Sequence, residues 1–528
     1  MENQTASPVF DRFPLGMQSF EDLRRSNAVY VDKTDYVYKL VNEGKCYFLA
    51  RPRRFGKSLM CNVLRAYFEG KKELFEGLKI YQWEKDWIQY PVLYMPLASG
   101  NYTIQGVLYK RIATCLERYE DKYLGVTNDE EDLGIRLQKD VEKVFEKTGL
   151  QTVMIVDEYD NPLITSKHFE EDKAIYRGFF SVLKDYDDYF RFVFLTGVTK
   201  FAKTSIFSGN NQPEDISFDQ NYSAICGITH EELINCFQNE IQAFADFLNI
   251  SFDQMLVELK KWYDSYLFNE YGTKVFNPVS LFNALKKKSF RNYWYETGTP
   301  SILMKRIKKS SFDISCLKND VECGMDELEH YKDDDLETDL VPLMYYTGYL
   351  TIKEFVREER LYILGFPNLE VQMSFFNSLA REFYGPADGI NGFKYSRFLS
   401  DFRAGDVESI IERLKALFCT IPYANDRNIR LIERDFQNVI YLVFSILGEY
   451  VISEPHLSKG RADSILINKD YVYIFEFKMD QDAQTALNQI NVKNYAGRFK
   501  MDGRKILKIG VSFSSTEKNI VDWILAEE

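Results

Sequence analysis

The sequence predicts an α/β protein that begins with a helix-covered parallel sheet and ends with a second, smaller α/β domain. Within residues 1–225, four apolar stretches have the length of strands: 46–50, 92–97, 152–156 and 192–196. Amphipathic helical patterns, such as 58–68 and 135–147, lie between them. Strands that alternate with helices indicate a parallel sheet with helices on both faces.

Three domains are expected from the length of the chain and from changes in its pattern. A chain of 528 residues suggests roughly three domains at about 150 residues each. Residues 226–420 have mainly helical patterns and one predicted β-hairpin, formed by 349–355 and 361–366. A turn-rich stretch at 421–426 is the predicted linker into the last domain, residues 421–528.

The composition is that of a globular protein with a net charge of −13, of which 45% of the residues are hydrophobic. This negative charge argues against nucleic-acid binding by the whole surface. No apolar run approaches about 18 residues and the N-terminus lacks the pattern of a signal peptide, so we expect a cytoplasmic protein without a membrane partner. The eight cysteines are scattered and are expected to be reduced thiols.

A strand–loop–helix pattern near residue 50 predicts a phosphate loop. The predicted strand 46–50 leads into Arg51-Pro52-Arg53-Arg54-Phe55-Gly56-Lys57-Ser58, and an amphipathic helix follows. In such a loop the backbone N–H groups and the lysine hold nucleotide phosphates, and the Ser or Thr hydroxyl binds Mg²⁺. Arg51 stands where the common pattern GxxxxGK[ST] has its first glycine. The predicted contacts to ATP are Arg53, Arg54, Phe55, Gly56, Lys57 and Ser58.

Two acids follow the predicted buried strand 152–156 and are the expected acidic residues that act together with the phosphate loop. Ligands of parallel sheets bind at the carboxyl ends of the strands, where Asp157 and Glu158 stand. We expect Asp157 to hold Mg²⁺ together with Ser58, and Glu158 to polarise the attacking water. Thr196, at the end of the next strand, is a candidate nucleotide contact that senses the γ-phosphate, or else it caps a turn.

Two acids and a lysine in the last domain predict a second metal site. If Ile467 pairs with Val472 in a hairpin, Asp463 lies opposite Glu476, with Cβ atoms ~4.5–5.5 Å apart. Lys478 shares the face of Glu476, which we expect to point outward while Phe475 and Phe477 point into the core. Facing carboxylates repel unless a divalent cation such as Mg²⁺ lies between them. The alternative is an ordinary hairpin with charged residues outward.

Several stretches resemble a known bacterial family. In the first part of the chain they are Pro14-Leu15-Gly16, Tyr30-Val31-Asp32-Lys33-Thr34, 51–58, Asp157-Glu158-Tyr159-Asp160-Asn161-Pro162, Thr196-Gly197-Val198 and Ser205-Ile206-Phe207-Ser208-Gly209. In the middle they are Trp262-Tyr263-Asp264, Phe276-Asn277-Pro278 and Thr347-Gly348-Tyr349-Leu350-Thr351. They resemble the predicted AAA-ATPase-like family, whose members commonly carry a C-terminal PD-(D/E)XK nuclease-like domain. Ser265 stands where that family usually has Gly.

The resemblance implies an architecture. It comprises a P-loop NTPase core of the AAA-like kind (1–225), a helical lid with a winged-helix-like part (226–420) and a restriction-endonuclease-like α/β domain (421–528). In the last domain Asp463, Glu476 and Lys478 are similar to the PD-(D/E)XK core. Glu433 would be an additional carboxylate, and Gln489 and Tyr495 match the family's Gln and Tyr positions loosely.

The resulting hypothesis is ATP hydrolysis coupled to Mg²⁺-dependent cleavage of nucleic acid, with DNA the expected partner, in defence or mobile-element biology. The rival is a regulatory ATP switch whose nuclease-like domain binds DNA or protein without cleaving. A basic stretch near the C-terminus is either a phosphate-binding surface or a solvated face: Lys493, Arg498, Lys500, Arg504, Lys505 and Lys508. The sequence does not choose an arginine finger among Arg51, Arg53, Arg54 and an arginine of a neighbouring subunit in a homo-oligomer.

Overall fold

The computed structural model describes residues 13–200, 213–294, 303–304, 306–307, 317, 320–329, 340–384, 395–420, 440, 464–500 and 503–528. The chain divides into two compact units. The first unit comprises Met1–Thr299 and Glu322–Glu370, and the second comprises Pro300–Val321 and Val371–Glu528. The predicted domain boundaries at 225 and 420 stay predictions, and residues 421–439 lie outside the described residues.

The first unit is built on a parallel sheet of five strands, in the order β2-β3-β4-β1-β5. Their bounds are β1 Cys46–Ala50, β2 Val92–Pro96, β3 Thr152–Asp157, β4 Phe190–Gly197 and β5 Glu214–Asp215. The four predicted strands are confirmed to within two residues at each end. Strand β4 lies between β1 and β3.

Eight helices belong to the same part of the chain among the described residues: α1 Phe20–Arg25, α2 Thr34–Glu43, α3 Lys57–Phe68, α4 Lys79–Trp83, α5 Val107–Tyr123, α6 Leu133–Thr148, α7 Asn161–Thr165 and α8 Phe169–Asp185. The ends of α6 illustrate how the sequence sets these bounds. The Asp132 side chain accepts hydrogen bonds from two backbone N–H groups of the first turn, and Gly149, at φ 71°, ends the helix in the left-handed region.

The middle of the chain is mainly helical and includes the predicted hairpin. Its elements are β6 Ile228–Thr229, α9 His230–Leu248, α10 Phe252–Tyr263, β7 Val275–Phe276, α11 Pro278–Lys287, β8 Val321–Gly324, α12 Met325–Glu329, α13 Leu340–Thr347, β9 Thr351–Val356 and β10 Leu361–Gly365. Strands β9 and β10 pair antiparallel, and β8 extends them to three strands. Ser265, where the resembling family has Gly, lies at φ 77°, a region that glycine adopts without strain. The departure therefore places strain on the backbone at this residue.

The second unit contains a mixed sheet in the order β11-β12-β13-β14. Its elements are α14 Leu369–Tyr384, which begins at the border of the units, α15 Tyr395–Ala404, α16 Val407–Thr420, β11 Ser464–Ile467, β12 Tyr471–Met479, α17 Ala483–Lys493, β13 Lys505–Ser514 and β14 Asn519–Glu527. Ile467 pairs with Val472, as predicted. Alternate residues of β12 enter two cores: Tyr473 and Phe475 pack with the residues of α15 and α16, and Val472 and Ile474 pack with those of α17. Both faces of this sheet are therefore covered.

A buried ion pair joins α5 to α6 in the first unit, and a second acid, Asp140, is buried beside it. Arg136 donates two hydrogen bonds, of 2.7 and 2.8 Å, to the carboxylate of Glu120. The Asn128 amide donates to Oδ1 of Asp140, whose side chain is fully buried. Burial and the neighbouring Glu120 carboxyl raise the pKa of Asp140 to about 7. Asp140 therefore keeps its proton at pH values where an ordinary aspartate has lost it.

We predict that this acid makes the stability of the first unit depend on pH. Between pH 3.8, the ordinary pKa, and about 7, the folded protein holds a proton that the unfolded chain has released. The free energy of unfolding therefore falls as pH rises through this window and is constant above it. Asp140→Asn, which is uncharged like the protonated acid, should remove this fall and raise the melting temperature at pH 8 above that of wild type. Thermal unfolding at pH 5 and 8 tests this, with Asp129→Asn, an exposed neighbour, as the control. Identical pH profiles for wild type and Asp140→Asn would disprove it.

Candidate functional site

The loop between β1 and α3 has the geometry of a phosphate loop. Gly56 lies at φ 103° directly before α3, a conformation that L-residues with side chains rarely adopt, and Arg54 lies at φ 71°. The side chain of Lys57 is buried, and its Nζ donates hydrogen bonds to the carbonyl oxygens of Arg51 (2.8 Å) and Pro52 (3.0 Å). The lysine is thus folded over its own loop, at the amino end of a twelve-residue helix.

Arg51 explains how the loop forms without its usual first glycine. Among the described residues, the non-glycine residues with positive φ include Arg54 and do not include Arg51, so no glycine is needed at position 51. The Arg51 side chain is 2% exposed, and its guanidinium donates to the carbonyl oxygens of Ala50 (2.8 Å), Ser217 (2.8 Å) and Tyr222 (3.0 Å). A guanidinium held in this way is not available to a nucleotide, which removes Arg51 from the candidate arginine fingers.

The two acids at the end of β3 differ in their surroundings. Asp157 is buried, and its Oδ1 accepts a hydrogen bond of 2.9 Å from the Oγ1 of Thr196 on the neighbouring strand β4. The hydroxyl of Thr196 also lies 3.8 Å from Sγ of Cys61 on α3. Thr196 thus orients Asp157, a role that neither sequence-based alternative described; its sensing of the γ-phosphate stays a prediction.

Glu158 lies at φ 56°, in the left-handed region, directly after β3. Such a conformation costs a residue with a Cβ atom about 1–2 kcal/mol, and strained residues of this kind cluster at functional sites. Burial raises the pKa of the Glu158 carboxyl, and this effect exceeds the opposing influence of the Lys57 ammonium. A carboxylate with a raised pKa is a better proton acceptor, as a general base requires.

Two further residues of the same stretch position the site, and the sequence reasoning assigned them no role. The carboxylate of Asp160, 1% exposed, accepts hydrogen bonds from the backbone N–H of Val198 (2.9 Å) and Thr199 (2.7 Å). Asn161 donates its amide to the carbonyl oxygens of Leu97 (3.1 Å) and Ala98 (3.0 Å). These contacts hold the segments that follow β4 and β2 beside β3. In the sequence, the only indication of this role is that Asp160 and Asn161 directly follow Asp157-Glu158.

The phosphate loop, Glu158 and Asn161 line one cleft of about 460 Å³. Arg53, Arg54, Lys57, Ser58 and Glu158 contribute its polar part, and the chain segments 14–18 and 278–282 form its other walls. A smaller apolar cavity of about 80 Å³ adjoins it and shares Gly56 and Leu59 with it. The cleft therefore offers cationic and backbone groups to an anion, next to a place for an apolar or aromatic group.

The second unit brings Glu476 and Lys478 together on one face of β12, as predicted. Nζ of Lys478 lies 3.1 Å from Oε1 of Glu476, and the Gln489 amide on α17 donates to the same oxygen. The expectation that Glu476 points outward is wrong, because its side chain is 1% exposed. The reason is that α17 covers this face of the sheet, while Phe475 packs into the core on the other face.

Gly510 allows α17 to lie close to the sheet at this point. It is the residue of β13 that pairs with Glu476, and a Cβ atom there would lie 2.4 Å from the carbonyl oxygen of Ala483 and 2.7 Å from the backbone N of Leu487. Distances below 3.0 Å exclude a side chain without movement of the helix. The absence of a Cβ at Gly510 is thus what lets Gln489 reach Glu476.

The remaining predicted parts of this site lie outside the described residues. Asp463 and Glu433 belong to the undescribed stretches, so their metal-binding roles stay predictions. The pairing of Ser464 with Phe475 follows the register from which Asp463 was placed opposite Glu476. No group of three metal-ligating side chains occurs in the described parts of the chain. Glu476 and Lys478 fit a metal-dependent hydrolytic site in charge, and the predicted second carboxylate would complete it.

The basic stretch of the second unit is partly neutralised. Lys505 forms an ion pair of 2.7 Å with Glu527, and both Lys500 and Lys508 form ion pairs with Glu528. Three of the six cations thus contact acids near the C-terminus, which weakens the interpretation of this stretch as a phosphate-binding surface.

The fold and the two sites define a P-loop protein with an AAA-ATPase-like core and a nuclease-like C-terminal domain. Residues 14–207 match the family described as predicted AAA-ATPase, and residues 431–523 match the PD-(D/E)XK nuclease superfamily. The chain is 33% identical over 530 residues to an uncharacterized protein in the vnfD 5′ region of Azotobacter chroococcum mcd 1, covering 97% of this chain and 98% of that protein. The chain therefore belongs to this family of predicted AAA-ATPases.

In the described parts of the chain, no helix has both the length and the apolar character needed to cross a membrane.

Proposed function

We propose that the first unit binds and hydrolyses ATP at the cleft beside α3. The observation that carries this proposal is that Lys57, Ser58 and Glu158 line the same cleft, with Asp157 at the end of the neighbouring strand. Lys57 would exchange the carbonyl oxygens of Arg51 and Pro52 for phosphate oxygens. Glu158 would take the proton of the attacking water, since its raised pKa suits it to that task. Ser58 and Asp157 would hold Mg²⁺, which neutralises charge on the phosphates when bound.

The apolar cavity next to the cleft supports a nucleotide rather than a simple phosphate as the ligand. It is lined by side chains that include Leu59, Met60 and Val63 of α3, together with Ile225 and Ile228. A base bound there would extend from the phosphate-binding part of the same cleft, and α3 would contact both ends of the nucleotide.

The second unit is proposed to cleave nucleic acid with Mg²⁺ and to be controlled by the ATPase core. Support comes from the proximity of Glu476, Lys478 and Gln489 and from the nuclease-superfamily match. Glu476 and Asp463 would hold the cation. Lys478 would orient and help to deprotonate the water that attacks the phosphodiester.

The burial of Glu476 favours a second candidate, the ATP switch without cleavage. A carboxylate that is 1% exposed and covered by α17 is reached by a large polymer only if the helix moves. The ion pairs of the basic stretch with Glu527 and Glu528 favour a protein over DNA as the partner in this candidate. Under this function the second unit binds DNA or a protein, and ATP controls the binding.

Lys57→Ala tests the nucleotide site. Wild-type protein should show a rise in melting temperature with ATP and Mg²⁺, since a ligand at 100 times its Kd stabilises by about 2.7 kcal/mol. Lys57→Ala should abolish this rise, because the ammonium that neutralises the phosphates is lost. The control is Lys45→Ala, at the opposite end of β1, where the partly exposed lysine contacts Asp187 through an ion pair and a hydrogen bond to its carbonyl oxygen. An undiminished shift in Lys57→Ala would place the nucleotide elsewhere.

Glu158→Gln separates binding from chemistry. The amide cannot accept the proton of water, so we expect ATP binding close to that of wild type and a turnover reduced by about 10²-fold or more. Equilibrium binding of a nucleotide and phosphate release from ATP are measured on the same preparation. Parallel loss of binding and turnover would assign Glu158 to the structure of the loop, and full turnover would remove it from catalysis.

The nuclease site is tested with single- and double-stranded DNA and RNA, with and without ATP and Mg²⁺. Asp463→Ala, Glu476→Ala and Lys478→Ala should each abolish metal-dependent cleavage and leave ATP hydrolysis largely intact. The acid variants should also lose Mg²⁺ or Mn²⁺ binding, whereas Lys478→Ala should retain it, because lysine positions water and does not ligate the cation. Lys415→Ala, on α16 of the same unit, where the lysine forms a surface ion pair with Glu412, is the control. Variants that cleave like wild type, or wild type that binds no divalent cation here, would favour the ATP switch.

A further inference from the structure

The phosphate loop is held by residues far along the chain. Residues 51–55 contact five segments of the first unit that lie far along the chain: 217–222, 227, 266–268, 294 and 348. The partners of the Arg51 guanidinium on Ser217 and Tyr222 are 166 and 171 residues away from it in sequence. The conformation of the loop therefore depends on the packing of the middle of the chain and on more than its own turn.

Arg51 makes the strongest of these contacts. Its guanidinium forms three hydrogen bonds with backbone carbonyl oxygens and lies over the ring of Phe268, with Cζ 4.3 Å from the ring centroid. Hydrogen bonds of a charged donor are stronger than neutral ones, and a buried guanidinium with fixed acceptors has little freedom to move. The side chain of Arg51 thus holds the loop to Ser217, Tyr222 and Phe268, and Arg51 does not line the cleft.

The neighbouring loop residues are held in the same way. Gly348 lies at φ 89° against Pro52, and a Cβ atom on it would come within 2.8 Å of the Pro52 ring. Phe55 packs edge-on against Tyr266, and its carbonyl oxygen accepts a hydrogen bond from the N–H of Gly227. The two carbonyl oxygens that receive Lys57, those of Arg51 and Pro52, therefore belong to braced residues.

We propose that Arg51 is a positioning residue for nucleotide binding: it holds the phosphate loop in the conformation that receives the phosphates. This role rests on the proposed ATP site and deepens it. Because the anchors lie at 217–222, 268 and 348, a movement of these segments alters nucleotide affinity, and nucleotide binding in turn stabilises these segments. By thermodynamic linkage the two effects are equal in size.

Arg51→Gly is the informative variant, because it restores the glycine that most phosphate loops have at this position. A loop that needs only its own turn would bind ATP as well as wild type or better. A loop that depends on the guanidinium should lose affinity by about tenfold or more, since several hydrogen bonds of a charged group are removed. Amide hydrogen exchange of 53–56 in the nucleotide-free protein should also become faster in this variant.

Gly348→Ala tests the same dependence from the other side of the loop. The added methyl group displaces Pro52, so ATP should bind severalfold more weakly while Lys57 and Arg51 are unchanged. Gly125→Ala is the matched control, because Gly125 has a similar φ of 76° with no atom within 4 Å of the added Cβ. Gly125→Ala introduces a similar backbone strain without contact to the loop, so it should leave ATP affinity unchanged. If Gly348→Ala binds ATP as tightly as Gly125→Ala does, the proposal is contradicted. Gly348→Ala also serves if Arg51→Gly does not fold.

The measurement is the Kd for ATP with Mg²⁺, taken well below the melting temperature of each variant. Weaker binding in Arg51→Gly and Gly348→Ala, with Gly125→Ala unchanged, supports the positioning role. A lower melting temperature with unchanged Kd would overturn it, because Arg51 would then be structural only. If wild-type protein binds no ATP, the proposed nucleotide site itself is wrong. If wild type and Arg51→Gly both bind ATP equally well, only the positioning role of Arg51 is wrong.

Discussion

The parallel pairing of β4 with both β1 and β3 brings the ends of these three strands to one edge of the sheet. All functional groups of the first unit depend on this arrangement. The phosphate loop leaves β1 and the acids follow β3. Thr196, near the end of β4, donates a hydrogen bond to Asp157 and also contacts Cys61 of α3. If β1 or β3 ran in the opposite direction, the lysine and the acids would lie at opposite edges of the sheet.

Strain and buried charge are concentrated around that edge. Arg54 and Glu158 have left-handed backbone conformations, and Arg51 and Asp160 are charged side chains with almost no exposed surface. Each buried charge is bonded to backbone groups, which is the condition under which burial is tolerated. Because these bonds connect segments distant in sequence, the site is rigid only when the whole first unit is folded. For the proposed ATP hydrolysis, a cleft prepared in this way would not have to reorganise when charge develops in it.

The second unit also buries a charged group together with hydrogen-bonding partners. Strand β12 lies between β11 and β13 and is covered on both faces, so Glu476 is buried beside Lys478 and Gln489. The small residue at Gly510 lets α17 approach the sheet at the pair. Access to this carboxylate and the conformation of α17 are therefore linked, and a nuclease and a non-cleaving switch would differ in whether this helix moves.

The sequence by itself determined the local elements: the strands at 46–50 and 152–156, the helix after Gly56, and the hairpin register in which Ile467 pairs with Val472. These follow from apolar periodicity, turn residues and strand alternation, which act over a few neighbouring residues. The family resemblance, too, is confirmed by the matches at 14–207 and 431–523.

The tertiary structure alone decided what surrounds each functional group. The anchoring of Arg51, the bond between Thr196 and Asp157, the partners of Asp160 and the burial of Glu476 all involve residues brought together by the packing of separate segments. An alternating strand shows which side chains share a face. Whether a helix covers that face depends on how distant segments of the chain pack together. The residues of the strand alone do not determine this packing.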